Sequence, residues 1–157
     1  MTEVQRIIEE IMSDAGGAPA LASSTLLIQA IGAEAYAVAQ TEQADAFFRA
    51  SGKRFAGAVD LKGVSDLSVF EARINGLWER IGWGQAHLEM TEDAVLIRHI
   101  GLPPAFHGER DEKGKRAVPL LLAGAYDAFF EALGSGPALH SRVMSWSSDM
   151  LELRHGL

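Results

Sequence analysis

The chain has 157 residues, and its 14 Lys and Arg against 21 Asp and Glu give a formal net charge of −7. This length predicts a single domain over residues 1–157 with a buried core. The acidic balance argues against sequence-independent DNA or RNA binding, which requires a basic face. The absence of cysteine excludes disulfides, thiolate nucleophiles and cysteine metal sites.

A short amphipathic helix is predicted within residues 1–17. Thr2 and Gln5 have the spacing of a capping box, and Gly16-Gly17 end the helix. A helix of this length is not stable alone in water, so it packs on its own domain or swings out to a neighbouring chain. Its apolar residues recur at helical spacing: Val4, Ile7, Ile8, Ile11 and Met12.

The same N-terminal segment bears on location. Glu9 and Glu10 interrupt the apolar residues that a secretory signal would need. The sequence also lacks an apolar run of about 18 residues, the length that predicts a transmembrane helix. We therefore expect a cytoplasmic protein without a membrane span.

Two further segments precede the best-defined helix. Leu26-Leu27-Ile28 fits either a buried strand or a helix, and the alanine-rich run after it favours a helix. A second helix begins at Thr41, with Phe47, Phe48 and Phe55 on its apolar side, and it extends to about residue 60.

The third helix has the clearest pattern. Ser68 and Glu71 have capping-box spacing, with Ser65 as an alternative cap, and Gly82 ends the helix. Its apolar stripe consists of Leu67, Phe70, Ile74, Leu77, Trp78 and Ile81.

Alternating residues predict a β-hairpin with strands 85–90 and 94–100. Pairing Met90 with Ala94 would place His99 opposite Gln85 and diagonal to His87, on the solvent face of the sheet. Residues 101–117 follow as a proline- and glycine-rich charged stretch, which predicts a solvated loop.

A fourth helix and a second hairpin complete the chain. Pro119 suits the first turn of the helix and Gly134 the position after its end. The last two strands turn near residues 147–149. This order predicts an α+β fold in which N-terminal helices are followed by two antiparallel β-hairpins separated by a helix, with one sheet packed against the helices. The predicted core contains Phe47, Phe70, Ile74, Leu77, Trp78, Leu88, Ile97, Leu122, Phe129, Val143 and Leu153.

The sequence carries no recognisable catalytic motif, so we expect no enzyme, no cofactor and no catalytic or metal-binding residues. His87 and His99 with Glu89 could form a metal site, but polar residues on a solvent-facing sheet explain them as well. A carboxylate pair for glycoside hydrolysis stays open, because nothing singles out two partners. Of the three tryptophans, Trp146 is expected to be the most exposed.

Several motifs in the second half resemble one family. The sequence Gly82-Trp83-Gly84 leads into the first strand, Pro103-Pro104 opens the loop, and Leu122-Ala-Gly-Ala-Tyr126 lies in the helix that contains Pro119. This order over residues 40–146 is similar to the cellulose synthase D subunit of bacterial cellulose operons. Ala123 stands where that family has Glu, and Val118 where it often has Trp.

The resemblance implies a non-catalytic accessory subunit that forms a homo-oligomer, described as an octamer. It further implies partnership with the cellulose synthase complex and with glucan chains, whose export and assembly into ordered ribbons the family helps to organise. A passage for exported glucan makes the periplasm the alternative location. A more distant likeness to vinyl-reductase-type ligand-binding domains gives a second hypothesis, a small-molecule sensor with an apolar pocket between sheet and helices.

Surplus apolar surface also predicts a homo-oligomer, since symmetric self-association commonly covers exposed apolar patches. Phe129 and Phe130 are adjacent, so one helix directs aromatic side chains in two directions. The predicted contact residues are Ile7, Ile8, Ile11, Tyr126 and Phe130.

Overall fold

The computed structural model describes Thr2, Glu3, Gln5 and Arg6, residues 18–107 and residues 112–157, with only the backbone described for residues 18–22. From residue 18 onward, the described part of the chain forms four α-helices, α1 (Ala18–Val38), α2 (Thr41–Lys53), α3 (Leu67–Ile81) and α4 (Ala117–Ala132). It also forms four strands, β1 (Gln85–Met90), β2 (Ala94–Ile100), β3 (His140–Trp146) and β4 (Met150–Gly156). Short 3-10 helices cover Arg54–Ala58, Pro104–Phe106 and Gly114–Arg116. The α+β prediction is confirmed.

Helix α1 settles the open choice for residues 18–40 in favour of a helix. Its inner side is formed by Thr25, Gly32 and Tyr36, which are buried at helical spacing. The missing side chain of Gly32 allows the helix to approach the start of α4, where the Cβ of Ala117 would lie 3.3 Å from an added Cβ. Near the N-terminus, the reciprocal capping bonds predicted for Thr2 and Gln5 are present, at 2.8 and 3.2 Å.

Helix α2 begins at Thr41 as predicted but ends at Lys53, and a 3-10 turn replaces its last predicted residues. The side chain of Gln43 accepts a hydrogen bond from the N–H of Gln40, at 3.2 Å, which satisfies one free donor at the helix start. Phe48 is buried, whereas Phe47 is 54% exposed. The prediction of Phe47 as a core residue is therefore wrong, because α2 turns only one of these neighbours inward.

Helix α3 has the predicted bounds but a different cap. The carboxylate of Asp66 accepts bonds from the N–H groups of Ser68 (2.8 Å) and Val69 (3.1 Å), so Asp66, not Ser65 or Ser68, is the N-cap. Gly82 ends the helix with a φ of 73°, a left-handed conformation that favours glycine.

The two hairpins join into one antiparallel sheet with the strand order β1-β2-β4-β3. Met90 pairs with Val95 and Gln85 with Ile100, so the predicted register of the first hairpin is wrong by one residue. A one-residue shift moves every side chain to the other face. His99 therefore pairs with Ala86 and points toward the helices instead of solvent.

Helices α2 and α4 cross at unusually short distance through two glycines. A Cβ added to Gly52 would lie 1.9 Å from the carbonyl oxygen of Leu121, and one added to Gly124 would lie 1.9 Å from that of Arg49. Each glycine thus faces the backbone of the other helix. Any larger residue at either position would force the two helices apart.

The prediction of a solvated loop over residues 101–117 is wrong for 101–107, which pack against the core, whereas the charged residues Glu112, Lys113 and Arg116 are exposed. Leu102, Phe106 and Ala117 are buried, and the ring of Phe106 packs edge-on against Trp83 at 5.4 Å. The side-chain amide of Gln29 donates to the carbonyl of Ala105 at 2.6 Å, which fixes this segment to α1. Two 3-10 turns provide hydrogen-bond partners for some of the backbone N–H and C=O groups of this segment.

The core lies between the sheet and the helices. The prediction that Val143 belongs to it is wrong: 39% of this residue is exposed, because a bulge between Val143 and Ser145 interrupts β3. The other predicted core residues are confirmed as buried: Phe70, Ile74, Leu77, Trp78, Leu88, Ile97, Leu122, Phe129 and Leu153.

Candidate functional site

A largely buried ion pair connects α2, α4 and β3: the side chain of Asp127 is 3% exposed and that of Arg49 is 29% exposed. The carboxylate of Asp127 accepts hydrogen bonds from Nε of Arg49 (2.9 Å) and from the N–H of Ser141 (2.6 Å), and Nη2 of Arg49 lies 2.7 Å from the same carboxylate. Arg49 also donates to the carbonyl of Ser141, at 2.6 Å. One ion pair thus satisfies both backbone groups of Ser141 on the free edge of β3, as a neighbouring strand would.

Next to this pair lies His155, whose ring stacks on Phe130 with centroids 4.2 Å apart. Its Nδ1 lies 2.9 Å from Oγ of Ser141, and its Nε2 lies 2.9 Å from Oγ of Ser135. Burial lowers the pKa of His155, and the nearby carboxylate of Asp127 opposes that shift.

Serine, histidine and aspartate are therefore together, although no spacing in the sequence suggests it. In a catalytic triad the carboxylate binds the ring nitrogen that faces away from the serine. Here the carboxylate oxygen of Asp127 lies 4.0 Å from Nδ1 of His155, which is beyond hydrogen-bond distance, and that nitrogen already contacts Ser141. Neither Ser141 nor Ser135, which contacts Nε2, therefore completes a triad. All three residues are buried, which gives Ser141 no open face for a substrate. The arrangement fits a cluster that holds β3 and β4 against α4.

A second buried histidine lies at the centre of the core. Nε2 of His99 is 2.6 Å from the carbonyl oxygen of Trp83, and Nδ1 is 2.7 Å from the hydroxyl of Tyr126. Because a carbonyl only accepts, Nε2 carries the proton and Nδ1 accepts from Tyr126. Burial lowers the pKa of His99 to about 4 and raises that of Tyr126.

The burial of His99 predicts that the folded protein loses stability in acid. A histidine with a pKa of about 4 in the folded state and about 6.5 when unfolded binds protons more readily in the unfolded chain. The free energy of unfolding should therefore fall as the pH drops below about 6.5, by about 2 kcal/mol at pH 5, and level off below the folded pKa. His155 adds a loss in the same direction. Thermal melting at neutral pH and at pH 5 measures the effect.

The matched variants are His99→Gln and His87→Gln. His87 is exposed on the neighbouring strand and is not part of the buried cluster around His99, so His87→Gln is the control for the loss of a histidine. His99→Gln should flatten the pH dependence of melting, whatever it does to stability at neutral pH. An equally steep dependence in His99→Gln and in the parent protein would show that His99 is not the group responsible.

A third polar cluster lies nearer the surface and fixes the start of α4. The carboxylate of Asp45 accepts from the hydroxyl of Tyr36 (2.7 Å) and from Nε of Arg116 (2.9 Å), and it also contacts Nη2 of Arg116. The hydrogen bonds from Arg116 hold the pKa of Asp45 below its usual range. This cluster joins α1, α2 and the segment before α4.

An exposed apolar seam runs along the outer side of α1. We define the α1 seam as Leu27, Ile31, Glu34 and Val38, whose spacing of four, three and four residues is that of a coiled-coil face. Leu27 is 61% exposed, Ile31 44% and Val38 73%. Glu34 is the only charged residue between Ala18 and Val38.

A groove of about 430 Å³ lies beside the seam, between α1 and α2. Small residues in its lining, Ala35, Ala39 and Ala44, leave room between the helices, and the half-exposed ring of Phe47 forms one wall. The remaining lining residues are Ile31, Glu34, Val38 and Gln43. Seam and groove together are an apolar surface without a partner among the described residues of this chain.

Comparison with known proteins decides the family. The family model for the cellulose synthase D subunit matches residues 12–156, nearly the whole chain. The chain belongs to the cellulose synthase D subunit family. No curated protein matches it. Membership gives the protein a role in cellulose biosynthesis, in association with the cellulose synthase complex.

The motifs that carried the family resemblance have structural roles. Gly84 has a φ of 78°, and a Cβ there would lie 1.8 Å from the carbonyl oxygen of Ile100. Trp83 is buried against Trp78, with parallel rings 6.2 Å apart. Gly124 forms the crossing with α2.

The predicted contact residues of the oligomer do not lie at the protein surface where the structure describes them. Tyr126 and Phe130 are buried in the core of a single copy, because α4 is enclosed by α2, α3 and the sheet. The prediction that they face a neighbour is corrected accordingly. Ile7, Ile8 and Ile11 lie outside the described residues.

The remaining candidates have these outcomes. Trp146 is the most exposed of the three tryptophans, as expected, and its ring contacts His107 at 4.1 Å. His87 and His99 point to opposite faces of the sheet, so they cannot share a metal ion, and no group of three possible ligands occurs in the described part of the chain. No helix among the described residues is long and apolar enough to cross a membrane.

The sensor hypothesis requires an apolar pocket between sheet and helices. That layer is filled by the rings of Trp78, Tyr126 and Phe129, all fully buried. The groove beside the α1 seam lies instead between two helices. Sequence patterns carry no signal for this groove, since they leave the helix assignment of residues 18–40 itself open.

Proposed function

We propose that this protein is a non-catalytic accessory subunit that self-associates and helps to organise glucan chains as they leave the cellulose synthase. The family match over residues 12–156 is the observation that carries the proposal. In this proposal the octamer implied by the resemblance forms a scaffold, and ordered ribbons result from the arrangement of the emerging chains.

The geometry of the polar clusters supports a non-catalytic role. Ser141, Asp127 and His155 bind one another, nearby backbone, or the side chains of Arg49 and Ser135, and all three are buried. His99 is likewise enclosed, between Trp83 and Tyr126. Catalytic groups need access to a substrate, whereas these groups join elements of the fold.

The exposed apolar seam supports self-association. A helix of 21 residues with one charge and, among its described side chains, four exposed large apolar ones leaves much apolar surface in contact with water. Homo-oligomers with point-group symmetry are the common way to cover such a surface. The contacts predicted for Ile7, Ile8 and Ile11 stay part of the proposal as a second contact region.

The test of the proposed function is genetic. Deleting the gene from a cellulose-producing strain should lower the amount or the crystalline order of the cellulose, measured by dry mass and fibre diffraction, and the intact gene should restore both. The purified protein should release no reducing ends from cello-oligosaccharides. A deletion strain with normal amounts of well-ordered cellulose would contradict the proposal.

Self-association gives a separate prediction. Light scattering on the purified chain at micromolar concentration should give a mass several times the 16.9 kDa of one copy. Association through an apolar surface should strengthen with added salt, because salt screens the repulsion between copies that each carry a net charge of −7. A monomer under all conditions would refute a homo-oligomer.

We place the oligomer in the cytoplasm, beneath the synthase, with the periplasm as the alternative. Protease treatment of intact cells after permeabilisation of the outer membrane distinguishes them. A periplasmic protein would be digested, and a cytoplasmic one protected.

A further inference from the structure

We propose that the α1 seam packs antiparallel against the α1 seam of a second copy, around a two-fold axis near Ile31. This inference rests on the proposed self-association and assigns it a surface. It replaces the contact predicted for Tyr126 and Phe130, which are buried.

Each edge of the sheet is capped by side chains at one or two positions, which argues against pairing of strands between copies. On β1, the side chain of Asn75 donates to the carbonyl of Ala86 (2.8 Å) and accepts from its N–H (2.7 Å), and Glu71 accepts from the N–H of Leu88 (2.8 Å). On β3, Asp127 and Arg49 bind both backbone groups of Ser141. Such capping and the bulge after Val143 are features that keep edges from pairing.

The outer face of the sheet is charged. Arg98 binds Glu89 at 2.8 Å and lies 3.7 Å from Glu152, and Arg154 binds Asp93 at 2.8 Å. Covering these groups would remove their hydration, at a cost that their mutual attraction often fails to offset. The α1 seam contains a single charged residue, Glu34, so covering it would desolvate fewer charges than covering the outer face of the sheet.

The shape of the surface fits a second copy. Rotation about an axis near Ile31 places Leu27 of one copy level with Ala35 of the other, where Ala35, Ala39 and Ala44 leave the groove open. The exposed side chain of Leu27 of one copy would insert into the groove of the other copy, which lies further along α1. Each copy supplies both, as a two-fold interface requires.

Charge favours the antiparallel direction. In a parallel pair the two Glu34 carboxylates would face each other, and like charges in contact are unfavourable. In the antiparallel pair they lie about six residues apart along the axis, about 9 Å at the rise of an α-helix. A lipid surface is a poorer partner, because α1 has no Lys or Arg to bind anionic headgroups.

The area is sufficient for a specific contact. Leu27, Ile31, Val38 and Phe47 expose about 400 Å² per copy, near the size of the largest apolar patches on monomers. Full coverage in both copies would remove about 800 Å² of these side chains from water, and the neighbouring Leu26, which is 68% exposed, brings the total to about 1,000 Å², the lower limit for a specific interface.

The first test compares acidic substitutions in the full-length chain. Leu27→Asp and Ile31→Asp should each lower the oligomer mass in light scattering at least twofold, with the melting temperature of the resulting species confirming that it is folded. Met144→Asp adds the same charge at the edge of β3, where Met144 is 56% exposed, and should leave the mass unchanged. If only Met144→Asp dissociates the oligomer, the seam is not the interface.

The second test uses the absence of cysteine from the chain. Ile31→Cys should form a disulfide-linked dimer under mild oxidation, because the two positions meet at the axis. Leu27→Cys should not link to itself, yet it should link to Glu34→Cys when the two variants are mixed. Self-linking of Leu27→Cys would show a parallel pair and overturn the proposed geometry.

The outcomes separate the two proposals. A parent chain that is monomeric in light scattering removes self-association from the proposed function. An oligomer that is insensitive to Leu27→Asp and Ile31→Asp and gives no crosslink through Ile31→Cys leaves self-association intact and refutes the α1 seam. Dissociation of the Asp variants combined with binding of the parent to neutral lipid vesicles would assign the seam to a lipid surface and also overturn the inference.

Discussion

Replacing Gly124 by Ala should destabilise the protein by about 3 kcal/mol or more, which corresponds to a fall in melting temperature of roughly 6–12 °C. The added Cβ would lie 1.9 Å from the carbonyl oxygen of Arg49, and a backbone carbonyl in the middle of α2 has no rotamer with which to move aside. The helices must separate, and the contacts around their crossing are lost. Thermal and urea unfolding measure the change.

Gly76→Ala is the matched control. Gly76 lies inside α3 with no atom within 4 Å of an added Cβ, so the same substitution should stabilise the helix by about 0.5–1 kcal/mol. Gly52→Ala should resemble Gly124→Ala, and the double variant should cost less than the two single losses combined, because one separation relieves both contacts. Wild-type stability of Gly124→Ala would show that the helices cross at a greater distance.

Replacing Asp127 by Ala should cost about 3–5 kcal/mol, the typical loss when one partner of a buried ion pair is removed. The guanidinium of Arg49 would keep only its bond to the carbonyl of Ser141, and the N–H of Ser141 would lose its acceptor. Since β3 is held to α4 at this point, amide exchange of Ser141 should accelerate by more than that of Leu153 in β4. Urea unfolding gives the free energy, and hydrogen exchange gives the location.

The control is one turn along the same two helices. Lys53 and Glu131 form a pair at 3.6 Å with about half of each side chain exposed, so Glu131→Ala should cost less than about 1 kcal/mol. Asp127→Asn retains the shape of the side chain and an acceptor oxygen. Its loss of unfolding free energy should therefore lie between those of Asp127→Ala and Glu131→Ala. Equal small effects of Asp127→Ala and Glu131→Ala would mean that the buried pair contributes no more than an exposed one.

Local signals are sufficient for the elements that the sequence predicts well. The stripe from Leu67 to Ile81, the glycine that ends α3 and the proline in the first turn of α4 act over a few residues, and both helices lie within one or two residues of their predicted bounds. The two hairpins are likewise predictable, because alternation and short polar turns are properties of neighbouring residues.

The register of the first hairpin could not be predicted from local sequence patterns. Thr91 donates its backbone N–H to the carbonyl of Ala94 at 2.8 Å, so the turn contains two residues and not three. That single difference moves His99 from the expected solvent face to the centre of the core. Both registers satisfy the alternation pattern nearly equally, and packing against the helices decides between them.

By itself, the sequence determined the class of the fold, most helix and strand bounds and most of the core, because periodicity and capping depend on residues close together in the chain. Only the tertiary structure decided the candidate sites. Arg49 and Asp127 are separated by 78 residues, and the groove beside the α1 seam is formed by two helices whose relative position no local pattern specifies. The same limit explains Tyr126, Phe130 and Phe47: a helical period shows that a residue is apolar, but whether another element of the same chain covers it depends on how distant segments pack.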